Sequence, residues 1–409
     1  MVIRISVLLV LAFLRAPQDE EIWKALDEGN AQKLGEAAGG DTKAALEALK
    51  KGRIKEPAPG ETKDKVSDIS GETDLWIVAP PKYDRSKPAG VLLLLHGMGG
   101  TGTQLKDAWT AYAAANNLFI AAPSAQKLPA DKANEDGAGG NFGKENHWWS
   151  YREGGAPLAT LSLLKKRFGI DEDRVILVGY SIGGFGAWNI GLRYPDRFAA
   201  IVSCAGGFSR AEIQSLKVDD RMRKLHLNSF NLPIYFVHGD ADKTVPVDLA
   251  RESRNQLKKL GYEHEYKEIP KAAHNLNLKE GGEIMNGIQK WLKDRVRKPH
   301  PKEVKHHAIG DYCAQSYWVK ITGFKDPAPE VKASVTGQTI DFTATGAKQI
   351  TFYIDETLLD LEKPIKVKSG GAILFDGEAK PTFDVILETW KGREDRELLY
   401  RAKIVVDIK

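Results

Sequence analysis

The sequence predicts an α/β protein: a mostly parallel sheet covered by helices on both faces, followed by a small antiparallel β-sandwich. Three observations carry this. Between residues 71 and 298, apolar runs of strand length ("GVLLLLHG", "LFIAAPS", "RVILVG", "LPIYFVHGD") alternate with helical segments of ten or more residues, as in parallel sheets buried on both faces. Beyond residue 299 the period falls to two: Ile340, Phe342 and Ala344 alternate with polar neighbours, as do Ala402, Ile404, Val406 and Ile408. Finally, that C-terminal stretch, at roughly 110 residues, is the size of one sandwich.

The elements justify themselves in order. Residues 1–16 hold one early cation, Arg4, then an apolar core from Ile5 to Leu14. That core is too short for a bilayer, which needs about 20 residues, and suits a secretory signal peptide. It implies a secreted or periplasmic protein with no membrane contact after signal removal. Small residues at Val10, Ala12 and Ala16 leave the cleavage point open. Residues 17–70 read as a helical preface and linker: Ala and Leu recur at helical spacing, and "KEPAPGETKDK" (55–65) is rich in Pro, Gly and charge. In 71–298 the helices are "TQLKDAWTAYAAANN", "PLATLSLLKKRFG", "GGFGAWNIGLRYP", "VDLARESRNQLKKLG" and "GGEIMNGIQKWLKDRV". In 299–409 the strands are "QTIDFTATG", "KQITFYIDE", "KPIKVKSGG", "AILFDGE", "FDVILETW" and "YRAKIVVDIK".

Bulk composition excludes some functions. The chain has 409 residues with 59 basic and 55 acidic side chains, a formal charge of +4 spread evenly. That argues against a nucleic-acid partner. The lysine clusters at 50–51, 165–167 and 258–259 read as solvated surface. Two cysteines, Cys204 and Cys313, are far apart; a disulfide is compatible with export but is not expected.

Chemistry concentrates in "RVILVGYSIGGFGAW". Gly179, Ser181 and Gly183 form G-x-S-x-G between an apolar strand and a helix. A serine hydroxyl is a poor nucleophile until a base takes its proton. A sharp strand-to-helix turn exposes it, and flanking glycines avoid the clash that side chains would make there. The helix N-terminus aims free amides at the reacting oxygen. Elsewhere the same letters could be a glycine-rich connection with a surface serine.

The partners should follow, acid then histidine. "LPIYFVHGDADKTVPVD" supplies Asp240 and Asp242, either of which could orient an imidazole or merely cap a turn. In "HEYKEIPKAAHNLN", His264 is committed to a strand, whereas His274 lies beyond it in a loop, free to reach Ser181. Upstream, "LLLLHGMGGTG" ends a strand in a glycine-rich turn that can present a backbone amide to a developing oxyanion, with Ile182 giving the second. It lacks the G-K-[ST] ending of a phosphate loop.

With "LHGMGGTG", "GYSIGG", "HGDADKTVP" and "AAH", residues 71–298 resemble the α/β-hydrolase superfamily. The resemblance is closest to its esterase branch of dienelactone hydrolase-like enzymes, carboxylesterases, and polyhydroxybutyrate depolymerase or feruloyl esterase relatives. The resemblance implies the α/β-hydrolase fold, a Ser181–His274–Asp242 triad (Asp242 rather than Asp240, from H-G-x-x-D-x-x-V-P), and the amides of Met98 and Ile182 as an oxyanion hole. It implies a serine esterase that needs no cofactor and takes small or polymeric esters. Two other readings stand beside it. One is a peptidase of the prolyl-oligopeptidase type, although residues 17–70 are too few for its usual propeller. The other is a binding role for the C-terminal domain, including polysaccharide contact.

The substrate pocket is expected from the long insertion 124–155, with Trp148, Trp149 and Tyr180 as binding residues. Long loops in compact domains often carry function. His147 precedes Ser181, against the family order. Asp131, Glu135, Asp136 and Glu145 have no recognised calcium spacing.

Overall fold

A computed structural model describes residues 17–52, 60–68, 71–84, 87–125, 148, 155–207, 223–325 and 328–408. Eight strands form the central sheet: β1 (Glu61–Asp68), β2 (Gly71–Val78), β3 (Ala89–Leu95), β4 (Leu118–Pro123), β5 (Ile170–Tyr180), β6 (Ala200–Cys204), β7 (Ile234–Gly239) and β8 (His264–Ile269), in the order β1-β2-β4-β3-β5-β6-β7-β8. β1 and β2 are antiparallel to their neighbours, and every pair from β4 to β8 is parallel. β3 pairs with β4 on one side and β5 on the other. Strand order reverses there, and connections leave the strand ends in opposite directions, opening a crevice.

Alternation along β3 serves both faces. Val91, Leu93 and Leu95 pack with α5 (Gly155–Arg167) and α6 (Ile182–Arg193); Leu92 and Leu94 pack with α4 (Thr103–Ala115) and the last helix of this unit, α8 (Glu283–Leu292). The remaining crossover helix, α7 (Val247–Leu260), ends at Gly261 with φ 71°, the left-handed closure that glycine adopts without strain.

The C-terminal part holds two sheets. β10 (Gln315–Ser316), β11 (Val319–Phe324), β14 (Ala347–Ile354) and β17 (Ala402–Asp407) form one; β16 (Ala372–Gly377), β15 (Ile365–Ser369), β13 (Thr339–Thr345), β12 (Glu330–Thr336) and β9 (Glu303–His307) form the other. Only β13 and β15 run parallel. Ala402, Ile404 and Val406 point into the shared core, as their alternation predicts.

Three expectations change. "FDVILETW" is a helix, α9 (Phe383–Trp390), not a strand: Thr382 caps it by accepting from the Val385 amide, and Val385, Ile386, Thr389 and Trp390 form one buried face. Residues 61–65 of the expected linker lie in β1, an edge strand whose only buried side chain is Val66. The preface is helical as expected, and its helices α1 (Pro17–Asp27), α2 (Ala31–Ala37) and α3 (Thr42–Lys50) pack on α9: Ile22, Leu26, Leu34 and Leu49 share a core with Ile386, Trp390 and Leu399. Lys165 is no surface residue. Its ammonium is buried and pairs with Asp395 at 3.0 Å.

Lys165 belongs to a buried ionic joint between the central unit and the C-terminal domain. Arg297 grips both carboxylate oxygens of Asp395 (2.9 and 3.0 Å) and reaches Asp173. Arg393 pairs with Asp196, and Arg396 with Glu172. Burial opposes the charge on Asp395, yet Arg297 and Lys165 hold its carboxyl well below the usual carboxylate range. All described aromatic side chains of 299–408 are buried or half-buried. Cys204 and Cys313 are buried free thiols. The expected signal, residues 1–16, lies outside the described residues. Among those described, no helix is long and apolar enough to cross a membrane.

Candidate active site

Ser181 sits between β5 and α6 with φ 56° and ψ −118°, a conformation that a non-glycine residue keeps only when its surroundings impose it. They do: the Ser181 amide donates to the Cys204 carbonyl at the end of β6 (2.9 Å), and the Ser181 carbonyl accepts from the Phe185 amide (3.0 Å). The flanking glycines are needed sterically. A Cβ on Gly179 would meet the Gly183 carbonyl oxygen at 1.8 Å, and one on Gly183 the Leu95 carbonyl oxygen at 2.0 Å.

The loops after β7 and β8 bring the acid and the base. They are zipped together: the Asp240 amide donates to the Ile269 carbonyl and the Ala241 amide to the Ala272 carbonyl. A Cβ on Gly239 would meet the Ala272 carbonyl oxygen at 2.2 Å. His274 is thereby held with Nε2 2.8 Å from Ser181 Oγ and Nδ1 2.7 Å from Asp242 Oδ2. With Asp242 ionised, Nδ1 carries the proton and Nε2 accepts from the serine hydroxyl. Asp242 Oδ1 accepts the amides of Thr244 (2.8 Å) and Val245 (2.9 Å). Burial pushes the Asp242 carboxyl up, but hydrogen bonds from His238, His274 and the two amides outweigh it and hold the group well below the usual carboxylate range. Asp240 is exposed and, among the described residues, accepts only the Lys271 amide (2.5 Å). Its job is the loop.

The glycine-rich turn after β3 lies alongside. A Cβ on Gly97 would be 3.4 Å from Ser181 Cβ. The turn is pinned from inside: the Gly97 amide donates to Gln104 Oε1 (2.6 Å) and the Gly100 amide to the Gly97 carbonyl (3.1 Å). His96 is buried; its Nε2 accepts the Ala125 amide (2.9 Å), so its Nδ1 donates to the Gly97 carbonyl (2.7 Å). Burial lowers the His96 pKa and favours this neutral form. Among the described residues neither the Met98 nor the Ile182 amide has a hydrogen-bond partner; Ile182 opens α6, where first-turn amides are unsatisfied.

The residues expected to bind substrate fare differently. Trp148 is 1 % exposed; its indole N–H donates to the His96 carbonyl (2.9 Å) and its ring crosses His96 edge-on at 5.0 Å. It braces the turn and has no surface for substrate. Tyr180 is half-buried, and its hydroxyl donates to the His274 carbonyl (3.2 Å), so it supports the base. Trp149 and His147, together with Asp131, Glu135, Asp136 and Glu145, lie outside the described residues. Sequence reasoning missed His238, whose Nε2 is 3.2 Å from Asp242 Oδ2, and missed the role of His96. Both lie in visible His-Gly pairs ("HGM", "HGD"), but what each ring touches depends on loops remote in sequence.

Residues 160–292 match the Phospholipase/Carboxylesterase family, a span that holds Ser181, Asp242 and His274. Acyl-protein thioesterase 1 of Neurospora crassa is 31% identical over 130 residues, covering 32% of this chain and 49% of that protein. Lysophospholipase-like protein 1 of Mus musculus is 28% identical over 131 residues, covering 31% and 49%. Dipeptidyl-peptidase 5 of Porphyromonas gingivalis is 29% identical over 143 residues, covering 33% of this chain and 19% of that protein. The chain thus spans about half the length of the first two relatives and less of the third. With an elbow serine after the fifth strand, its partners on the loops of β7 and β8, and a family match running through all three, the central unit has the α/β-hydrolase fold.

Proposed function

We propose that the protein is a serine hydrolase that cleaves carboxylic esters through an acyl-enzyme. The observation that carries this is the unbroken hydrogen-bonded line Ser181 Oγ–His274 Nε2 and His274 Nδ1–Asp242 Oδ2, at 2.8 and 2.7 Å. His274 takes the hydroxyl proton as Ser181 Oγ bonds to the ester carbonyl carbon. The Met98 and Ile182 amides receive the oxyanion. The tetrahedral adduct collapses as His274 returns that proton to the departing alcohol. Water, deprotonated by the same imidazole, then attacks the acyl-enzyme and releases the acid and Ser181. Asp242 stays ionised throughout, orients His274 and stabilises its cationic form. No step calls for a cofactor.

The matched relatives support the reading through their names, thioesterase and lysophospholipase-like. The apolar segment at 5–14 supports export to a secreted or periplasmic location. The test is hydrolysis of a p-nitrophenyl ester series from acetyl to long acyl chains, with Ser181→Ala alongside. Turnover by the wild type alone is expected. Because one matched relative is a peptidase, peptide amides are assayed in parallel. Cleavage of these without any ester would replace the esterase reading.

A further inference from the structure

Asp242 is gripped by two histidines, and the triad uses one. His238 lies in β7 with its side chain buried, and its Nε2 is 3.2 Å from Asp242 Oδ2, the same oxygen that takes the His274 Nδ1 proton. That Nε2 is also 2.9 Å from the Val245 carbonyl oxygen. Both partners only accept, so Nε2 carries the proton, shared between them. The Val245 amide in turn donates to Asp242 Oδ1 (2.9 Å). The result is a closed ring: His238 to Oδ2, Oδ1 to Val245 N–H, and Val245 C=O back to His238.

We propose that His238 is a positioning residue for the triad acid: its Nε2–H fixes the carboxylate and, by sharing Oδ2 with His274, tempers the pull of Asp242 on the catalytic imidazole. This rests on the triad reading given above. Two donors on one oxygen divide its charge. Without His238, the whole of that oxygen bears on His274 Nδ1–H and the imidazolium is better stabilised. The His238 hydrogen bond is the foremost of the contacts that lower the Asp242 pKa. Among the described residues the titratable groups against Asp242 and His274 are His238, Ser181 and Tyr180, and the Tyr180 hydroxyl is directed to the His274 carbonyl rather than its ring.

The test is the pH profile of kcat/KM on a short p-nitrophenyl ester for wild type, His238→Phe and His238→Gln. The acid limb of His238→Phe should move up by about half a pH unit or more, which on the acid side of the limb is a loss of about threefold or more in kcat/KM. His238→Gln, which can place an amide N–H near the same point, should return the limb toward the wild-type position. A purely structural histidine would lower the melting temperature and leave the limb in place. A His238→Phe limb at or below the wild-type pH, with activity still dependent on Ser181, overturns the proposal. If His238→Phe does not fold, nitrogen-15 correlation spectra of the wild type and Asp242→Asn decide. A His238 Nε2–H resonance that shifts when Asp242 is replaced by Asn supports the proposal, and a bare Nε2 or a resonance that does not move refutes it. Full activity in Ser181→Ala would instead refute the triad, and the response of the His238 Nε2–H resonance to Asp242→Asn would still decide whether His238 donates to Asp242.

Discussion

Replacing Asp242 by Asn separates the two candidate acids. The native carboxylate accepts hydrogen bonds from Thr244 and Val245 at Oδ1 and from His274 at Oδ2, with His238 Nε2 also 3.2 Å from Oδ2. An amide has one oxygen. If that oxygen stays with the two backbone amides, the new NH2 faces Nδ1 of His274. His274 must then accept there and carry its proton on Nε2, where it cannot take one from Ser181. If the amide flips, its NH2 meets two backbone N–H groups, at about 1–3 kcal/mol for each buried donor left unpaired. The first arrangement is expected to prevail, since it sacrifices no backbone bond. Loss of the correct tautomer should cost on the order of 10⁴-fold in kcat, about 5.5 kcal/mol of barrier. Asp240→Asn keeps an acceptor for the exposed Lys271 amide and should stay within a few-fold of wild type. The assay is kcat and KM on p-nitrophenyl acetate at pH 8, with melting curves to show that each variant is folded. A folded Asp242→Asn within tenfold of wild type would refute the reasoning, as would a crippled Asp240→Asn.

Other outcomes follow from the same structure. Asp395→Ala leaves Arg297 and Lys165 buried without their shared partner and should cost about 3–5 kcal/mol; a denaturant titration showing under 1 kcal/mol would contradict the joint. Trp148→Phe removes the donor to the His96 carbonyl and should lower kcat about tenfold through the oxyanion turn; unchanged kinetics would free Trp148 from that role. Gly186→Ala puts a methyl 2.5 Å from Trp148 Cβ and should cost about 1–3 kcal/mol by overpacking, read as a lower midpoint of denaturation. The lowered carboxyls of Asp242 and Asp395 contribute stability above the unfolded value, near 3.9. That contribution is lost as pH falls below it, so the melting temperature should drop steeply under about pH 4, and less steeply in Asp242→Asn.

What was legible was chemistry written in local order. The apolar strands of the central sheet are continuous runs, and Gly179-x-Ser181-x-Gly183 marks its own turn. The loop after β7 offered both Asp240 and Asp242, and only the resemblance to the α/β-hydrolase pattern singled out Asp242. What stayed hidden depends on partners far along the chain. β1 is an edge strand with a single buried side chain, so its apolar signal is nearly absent. "FDVILETW" has strand-like composition, and its helical face becomes visible only once Ile22, Leu26 and Leu34 supply the surface it covers. Lys165 sits in a run of surface-type charges, and only Asp395, 230 residues later, makes burial tolerable. Trp148 read as a pocket wall because its partner, the His96 carbonyl, lies 52 residues upstream.

The central claim, that Ser181 forms the acyl-enzyme, is tested most directly by treating the protein with a fluorophosphonate and locating the adduct by peptide mass mapping. The account predicts one adduct, on Ser181, absent from Ser181→Ala and strongly slowed in His274→Ala. An adduct on another residue, or ester turnover by a protein whose Ser181 stays unlabelled, would contradict it.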